Sequence, residues 1–246
     1  MPRIRLDKLL VERGLAPTRE KAQALILAGQ IQVNDKTVAK AGTLVAEDAA
    51  LELVGEPPRY VSRGGIKLEG ALADLRLEAR SKVCLDIGAS TGGFTDCLLQ
   101  HGARKVFAVD VGRGQLDWRL RRDLRVVVLE GKNARALTVD DLDEPVDLVT
   151  IDVAFISVEK ILPAAISCAK GGADLLVLIK PQFELTRRQV GKGGIVRDPA
   201  LQQEAVDRVT RAAGQLGLEI IGVRESQLPG AQGNREFFLH ARVEKK

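Results

Sequence analysis

The sequence predicts a small α+β unit followed by a larger α/β unit in which helices cover both faces of a mostly parallel sheet. From residue 83 onward, apolar and β-branched runs alternate with amphipathic helical segments, which is the pattern of such a sheet. Pro57 and Pro58 interrupt regular structure, because proline lacks the N–H donor and disfavours helix at the residue before it. The 246 residues, 45% of them hydrophobic, suffice for two cores. We therefore predict domains at residues 1–56 and 63–246, joined by a linker at residues 57–62.

Composition limits the classes of protein that the sequence fits. The net charge is +4 and the pI about 9.0, which favours an anionic partner. The three cysteines form no CxxC pair, so we expect neither disulfides nor a metal site, and a cytoplasmic location fits best. The absence of an apolar leader and of a long apolar run argues against a membrane protein. Aromatic residues make up only 3% of the chain. We therefore expect any nucleic acid to be bound mainly through charge and shape rather than through base stacking.

The first unit is predicted to contain two amphipathic helices followed by short strands. Gly14 and Gly29 are expected to end the helices, and Thr18 to cap the second. The strands are expected at residues 31–33, 37–38 and 50–54. The first 40 residues hold eight Lys or Arg against four acids. Charge alone fits either two solvated helix faces or a surface that binds RNA phosphates.

The second unit is predicted to contain seven strands, at residues 83–87, 105–110, 125–130, 146–153, 173–179, 219–223 and 236–243. A hairpin between the last two would make the carboxyl-terminal strand antiparallel to the others. Ser62 is expected to cap a helix from Arg63 to Leu75, and Asp198 to cap a helix that Gly217 ends. The packing face of the first of these helices is expected to consist of Ile66, Leu68, Leu72 and Leu75.

A glycine-rich turn follows the first strand of the second unit. Its candidate ligand-binding residues are Asp86, Gly88, Ser90, Gly92, Gly93 and Phe94. Glycines there would let the backbone approach a ligand closely, although such a turn is common to nicotinamide enzymes and methyltransferases. Asp110 ends the next strand, where a carboxylate can accept both hydroxyls of a ribose; the alternative is an ordinary acid at a strand end. An acid before the glycines, together with Asp110, favours S-adenosylmethionine as the ligand.

Four charged residues are expected near this turn. Asp152 and Lys180 end strands, and the carboxyl ends of parallel strands form the ligand crevice. An antiparallel last strand would bring Glu236 to the same edge, and Lys67 lies on the helix that precedes the first strand. Methyl transfer to an alcohol needs a base, and a lysine can serve if burial and a second ammonium lower its pKa. The alternative is that each is an ordinary solvated charge.

The first unit resembles the S4 RNA-binding domain. The resemblance rests on the residues Arg5, Leu6, Asp7, Leu10, Arg19, Ala22, Ile26, Gly29, Val33 and Asn34. It implies binding to structured RNA, with Arg3, Arg5, Arg19 and Lys21 as the phosphate contacts.

The second unit is similar to the FtsJ-like ribose 2′-O-methyltransferases, because Lys67, Asp152, Lys180 and Glu236 match their Lys-Asp-Lys-Glu tetrad in order and context. With an S4-like domain in front, the whole chain resembles the TlyA type. The resemblance implies a Rossmann-like, S-adenosylmethionine-dependent fold with seven strands, the last antiparallel. It further implies 2′-O-methylation of cytidine in 16S and/or 23S ribosomal RNA, with Lys180 as the general base. Ribosomal RNA or ribosomal subunits would be the partners, and we expect a monomer.

Further basic residues are candidates for RNA contacts. They are Arg59 in the linker, Arg63 directly after it, and Arg187, Arg188 and Lys192 in the irregular segment 181–199. That segment could equally be a surface loop without function. Rival interpretations of the chain are a non-catalytic RNA-binding or ribosome-assembly protein, a cytolysin of the kind that the label haemolysin implies, and a small-molecule methyltransferase.

Overall fold

The computed structural model of the chain forms two compact units, Met1–Pro57 and Pro58–Lys246. It describes residues 3–16, 18–27, 29–38, 40–54, 58–230 and 233–244, without the side chains of Ala24 and Lys192. Pro57, the first residue of the predicted linker, lies outside the described residues. Tyr60, within the predicted linker, is buried and packs in the core of the second unit.

The first unit is a helix pair with two small antiparallel sheets. Its elements are β1 (Arg3–Arg5), α1 (Leu6–Glu12), α2 (Arg19–Leu27), β2 (Ile31–Val33), β3 (Lys36–Thr37), β4 (Leu44–Ala46) and β5 (Leu51–Leu53). β2 lies between β3 and β5, and β1 pairs with β4. The expected cap is present, since Thr18 Oγ1 accepts the backbone N–H of Lys21. β1 and β4 were not predicted, because three-residue strands carry almost no periodicity.

The second unit contains seven strands and six helices in its described part. The elements are α3 (Arg63–Asp74), β6 (Val83–Ile87), α4 (Gly93–Gln100), β7 (Lys105–Asp110), α5 (Trp118–Arg121), β8 (Val126–Glu130), β9 (Val146–Ile151), α6 (Leu162–Cys168), β10 (Ala169–Ile179), α7 (Pro181–Glu184), α8 (Pro199–Gln215), β11 (Leu218–Glu225) and β12 (Phe237–Val243).

The seven strands form one sheet in the order β11-β12-β10-β9-β6-β7-β8. β12 is antiparallel to both of its neighbours, β10 and β11, while the other pairings are parallel. The predicted Rossmann-like sheet with an antiparallel last strand is therefore confirmed. Because the parallel strands share one direction, β6, β7, β9 and β10 all end at the same edge, which we call the carboxyl edge.

Apolar side chains bury both faces of this sheet, and every residue of β6 is buried. Leu68 and Leu72 anchor α3 on one face, as expected. Ile66 is 43% exposed, so its predicted place in the packing face was wrong. Ser62 stands at the N-cap of α3 without accepting a hydrogen bond through its side chain.

The segment after β10 is more regular than the sequence predicted. It contains α7 and a single 3₁₀ turn, Lys192–Gly194. The buried side chain of Asn234 accepts the Val196 N–H at 2.9 Å and donates to the Gly194 carbonyl at 2.8 Å. The segment is thereby attached to the residues that precede β12.

Candidate active site

The first glycine of the turn after β6 holds two strand ends together. Gly88 has φ of +88°, which favours glycine, and its N–H donates to the Val109 carbonyl at 2.9 Å. A Cβ on Gly88 would lie 2.2 Å from the backbone oxygen of Asp152. No other residue fits without displacing the end of β9. Gly88 therefore lets Asp152 approach the turn.

The next two glycines admit neighbouring parts of the protein. A Cβ on Gly92 would meet Leu120 Cδ1 at 2.2 Å, and one on Gly93 would meet Ser62 Oγ at 2.2 Å. The sequence argument assigned the missing side chains to close approach of a ligand. In the structure, packed segments take the Cβ positions of all three glycines, while Gly88 and Gly93 also border the cavities described below. Phe94 is buried behind them, with its ring centroid 6.1 Å from that of Phe238.

Asp86 lies beneath the turn. It is fully buried and accepts hydrogen bonds from Thr95 Oγ1 at 2.6 Å and Thr150 Oγ1 at 3.2 Å. Burial is the main reason that its pKa rises to about 7, and the nearby Asp152 adds to the rise. The two hydroxyls only partly oppose it. Asp86 supports the turn from behind and does not line the cavities beside it.

Asp110 borders the larger cavity at the carboxyl edge. Its two carboxylate oxygens accept the N–H groups of Ser90 at 2.8 Å and Gly112 at 2.7 Å, which fixes the orientation of the carboxylate. Since each oxygen has a second lone pair, both can still accept from a ligand. The cavity measures about 490 Å³ and is bordered by Gly88, Ser90, Val109, Asp110, Val111, Gln115, Lys132, Asn133, Ala134, Arg135, Asp152, Val153, Ala154, Phe155, Ile156 and Ile161.

A smaller cavity of about 180 Å³ adjoins the larger one. It is bordered by Ser62, Arg63, Gly64, Lys67, Gly88, Ala89, Ser90, Thr91, Gly93, Phe94 and Asp152. Gly88, Ser90 and Asp152 belong to both cavities. A ligand that spans the two would therefore pass over the glycine turn, with Asp110 on one side and Lys67 on the other.

The four charged residues predicted for this edge form two ion pairs. Lys180 Nζ lies 2.5 Å from Asp152 Oδ1, in an ion pair without hydrogen-bond geometry. Lys67 Nζ donates to Glu236 Oε2 at 2.6 Å. Glu236 is buried, and the other three side chains are between 11% and 23% exposed. Each lysine thus has its own carboxylate in a largely dry setting.

Strand register explains why these groups meet. The last pair of the β9–β10 ladder is Ile151 with Val177, so Asp152 and Lys180 lie just beyond it. Phe237 pairs with Ile179, which places Glu236 opposite the strand end that Lys180 follows.

Two arginines of the S4-like unit share one buried acid. Asp7 is fully buried and accepts two hydrogen bonds from Arg5, at 3.0 and 2.9 Å. Arg19 donates to Asp7 Oδ2 at 3.1 Å, and Gln23 donates to the same oxygen at 2.9 Å. The hydrogen bonds from Arg5 are the largest cause that holds the pKa of Asp7 well below its usual range. Both guanidinium groups remain about half exposed, so each keeps donors that face solvent.

The remaining candidate RNA contacts are mostly on the surface. Arg3, Arg59, Arg63, Arg187 and Arg188 are exposed and Lys21 is half-buried, while the Lys192 side chain lies outside the described part of the chain. Arg59 forms an ion pair with Glu69, and Arg63 donates to the Pro229 carbonyl.

Sequence reasoning missed an aromatic pair at the rim of the larger cavity. Phe155 is 91% exposed and has φ of +64°, which is unfavourable for a bulky residue. Its ring centroid lies 5.2 Å from that of Phe183. The two follow Asp152 and Lys180 by three residues each, which is the signal that could have drawn attention to them.

Comparison with known families assigns both units. Residues 60–243 match the family described as FtsJ-like methyltransferase, and residues 4–51 match the S4 domain. The chain belongs to the FtsJ-like methyltransferases. This FtsJ-like methyltransferase carries its S4 domain at the amino-terminal side, as the sequence predicted.

Three relatives match along most of their length. The 16S/23S rRNA (cytidine-2'-O)-methyltransferase TlyA of Mycobacterium tuberculosis is 48% identical over 243 residues, which cover 98% of this chain and 91% of that protein. Hemolysin A of Brachyspira hyodysenteriae is 40% identical, with 96% and 99% covered. A solved structure of a hemolysin-named protein of Streptococcus thermophilus is 42% identical with a TM-score of 0.79, and covers 99% of this chain and 90% of that one. The predicted TlyA type is confirmed.

Membership of the family gives S-adenosylmethionine as the cofactor, as the sequence predicted. The residues present fit it. The larger cavity offers Asp110 for a ribose and apolar walls at Val109, Val111 and Ile156 for a nucleoside base. The smaller cavity offers Lys67 beside the turn.

Within the described ranges, no helix combines the length and the apolar character that a membrane span requires. Among the same residues, no cluster of three or more His, Cys, Asp or Glu side chains is placed to hold a metal ion. Cys84, Cys97 and Cys168 are free and buried.

We expect Asp86→Asn to change how stability depends on pH. Because the pKa of Asp86 is about 7 when folded and 3.8 ordinarily, the folded chain holds a proton between these values that the unfolded chain releases. The wild type must therefore lose free energy of unfolding as the pH rises through this window, on the order of 4 kcal/mol, and the variant should not. Urea unfolding at about pH 4.5 and about pH 7.5 measures the difference. Equal pH dependence in both proteins would contradict the placement of Asp86.

Proposed function

We propose that this FtsJ-like methyltransferase transfers a methyl group from S-adenosylmethionine to the ribose 2′-hydroxyl of cytidine in 16S and/or 23S ribosomal RNA. One observation carries the proposal: Asp152, paired with Lys180, borders both cavities beside the glycine turn, and Lys67, paired with Glu236, borders the smaller one. The named activity of the Mycobacterium tuberculosis relative, at 48% identity, supports the choice of acceptor.

The roles of the four charged residues follow from the acceptor. A ribose hydroxyl is a poor nucleophile until its proton is removed, and we assign Lys180, in its amine form, as the base. After proton transfer Lys180 is an ammonium, and Asp152 stabilises that charge at 2.5 Å. Lys67, held by Glu236, places a second positive charge near the oxygen as negative charge develops on it.

The cofactor residues orient the methyl donor. When bound, S-adenosylmethionine would supply a methyl carbon that the attached sulfonium sulfur makes electrophilic, and this sulfur would become a neutral thioether after the transfer. We assign Asp110 to the ribose of the donor, and the turn from Gly88 to Phe94, supported by Asp86, to the remainder. Alignment of donor and acceptor is a large part of the rate gain in such transfers.

The rest of the chain recognises the acceptor. We assign Arg3, Arg5, Arg19, Lys21, Arg59, Arg63, Arg187, Arg188 and Lys192 to contacts with RNA phosphates. The exposed ring of Phe155 at the cavity rim is suited to stack on an RNA base. We further propose that the enzyme acts as a monomer in the cytoplasm on ribosomal RNA or ribosomal subunits.

The decisive experiment is methyl transfer by the purified full-length protein. Labelled S-adenosylmethionine is incubated with ribosomal subunits and with free ribosomal RNA, and ribose methylation is then mapped along the RNA. We expect label on the 2′-oxygen of cytidine. Label on a base, or no label in any assembly state, overturns the proposal and favours a non-catalytic RNA-binding protein.

We expect Lys180→Ala and Asp110→Ala to fail in different ways. Lys180→Ala removes the base and should lower kcat by about 10²- to 10⁴-fold while the Kd for S-adenosylmethionine stays within about twofold. Asp110→Ala removes acceptors for the donor's ribose and should raise that Kd by roughly tenfold or more. Calorimetric titration and single-turnover rates separate the two effects, and the reverse pattern would overturn both assignments.

We expect Asp7→Asn to weaken RNA binding even though it makes the chain more positive. Arg5 and Arg19 are held side by side by the Asp7 carboxylate, and loss of its charge should free both side chains. The Kd for RNA should rise roughly three- to tenfold, as fluorescence anisotropy would show, with a shallower dependence on salt.

Glu12→Gln is the matched control for Asp7→Asn. Glu12 lies on the same helix, is exposed, and forms an ion pair with Lys8. It changes the net charge by the same amount, so it should leave RNA affinity equal or slightly higher. If folded Asp7→Asn behaves like this control, Asp7 does not organise the arginines.

A further inference from the structure

A buried carboxylate connects the two loops that carry Asp152 and Lys180. Glu184 is the last residue of α7 and is only 2% exposed. Its Oε2 accepts the Ser157 hydroxyl at 2.5 Å, and its Oε1 accepts the Val158 N–H at 3.0 Å. Ser157 and Val158 belong to the loop that follows β9, so both oxygens of Glu184 are used to join one loop to the other.

The sheet itself does not align these loops. The β9–β10 ladder ends at Ile151 and Val177, before either catalytic candidate is reached. Asp152 is held on the β6 side, where its N–H donates to the Ile87 carbonyl at 2.9 Å. Lys180 follows the part of β10 that pairs with β12. The separation between the two loops therefore depends on contacts beyond the strands.

The bridge continues on its outer side through α8. Arg208 donates to the Glu184 carbonyl at 2.9 Å and to both carboxylate oxygens of Glu159, at 2.7 and 3.1 Å. Glu159 lies in the 3₁₀ turn Val158–Lys160, which Ser157 caps. Burial raises the pKa of Glu184, and the donors from Ser157 and Val158 oppose the rise.

We propose that Glu184 is a positioning residue for methyl transfer, because its bridge to Ser157 and Val158 sets the distance between Asp152 and Lys180. This inference rests on the proposed function. The same bridge holds Phe155 against Phe183, since Phe155 lies in the loop that follows β9 and Phe183 lies in α7. Glu184 borders neither cavity and acts only through the residues that it holds.

Glu184→Ala tests the bridge. We expect the single-turnover rate with saturating cofactor to fall by about 10- to 100-fold, because a misplacement of about 1 Å at the reacting groups costs that much. The Kd values for S-adenosylmethionine and RNA should stay within about threefold. Rates are normalised to the number of cofactor molecules bound per chain, so that loss of folded protein is not counted.

Glu184→Gln should restore the rate to within about threefold of the wild type. A glutamine can accept the Val158 N–H and donate to the Ser157 hydroxyl, which also accepts hydrogen bonds. Ser157→Ala removes one of the two contacts and should fall between the wild type and Glu184→Ala. Asp207→Asn, which changes an exposed carboxylate of α8 that accepts a hydrogen bond from Gln203 in the same helix, should keep the wild-type rate.

A second readout does not depend on activity. Hydrogen exchange of backbone amides at residues 152–158 and 180–185 should accelerate roughly tenfold in Glu184→Ala, while β12 stays protected.

Unchanged exchange or an unchanged normalised rate in Glu184→Ala overturns the inference, as does a Glu184→Gln variant as slow as Glu184→Ala. If Glu184→Ala does not fold, a wild-type rate in Ser157→Ala overturns it. An inactive wild type would overturn the proposed function, and exchange would still test the bridge.

Discussion

The arrangement of the carboxyl edge depends on a single close contact, in which the backbone oxygen of Asp152 occupies the space where a side chain on Gly88 would begin. β6 and β9 are neighbouring parallel strands, and this contact extends their alignment one step beyond the ladder. The turn assigned to the methyl donor and the strand end assigned to the acceptor are therefore in van der Waals contact. Neither can move without the other, since packed interiors have little free volume.

The acids at this edge differ in whether a basic side chain pairs with them. Asp86, under the turn, meets two hydroxyls and no cation in its hydrogen bonds, so its neutral form is favoured up to a pH of about 7. Asp152, which borders both cavities, and the buried Glu236 each face a lysine. An ion pair in a largely buried place compensates a desolvation cost that an isolated charge would bear in full. The edge thus separates an acid that supports the turn from two acids that each pair with a lysine.

Much of this site could be predicted from sequence because its groups stand where strands end. Apolar runs in the sequence located the seven strands. Three of these runs end at or next to a charged residue, which predicted Asp110, Asp152 and Lys180 as site residues. The short strands β1 and β4 escaped prediction because their pairing is decided by tertiary contacts rather than periodicity. Glu184 escaped for a related reason: its partners lie 26 and 27 residues away in the chain, and no local pattern encodes such a bridge. The exposure of Ile66 shows a limit of helical periodicity: the spacing predicts which side of a helix is buried, but not how far the buried area extends around the helix.

The position of β12 has a consequence for how the enzyme is made. In the described chain β11 joins the sheet only through β12, and β12 is also the strand that Glu236 precedes. A polypeptide emerging from the ribosome with β11 exposed would have an unpaired strand and no partner for Lys67. β12 follows β11 in the chain, yet it is inserted between β11 and β10, so the sheet can close only after β12 has been made. A copy that ends after β11 would leave β11 unattached to the sheet and Lys67 without Glu236.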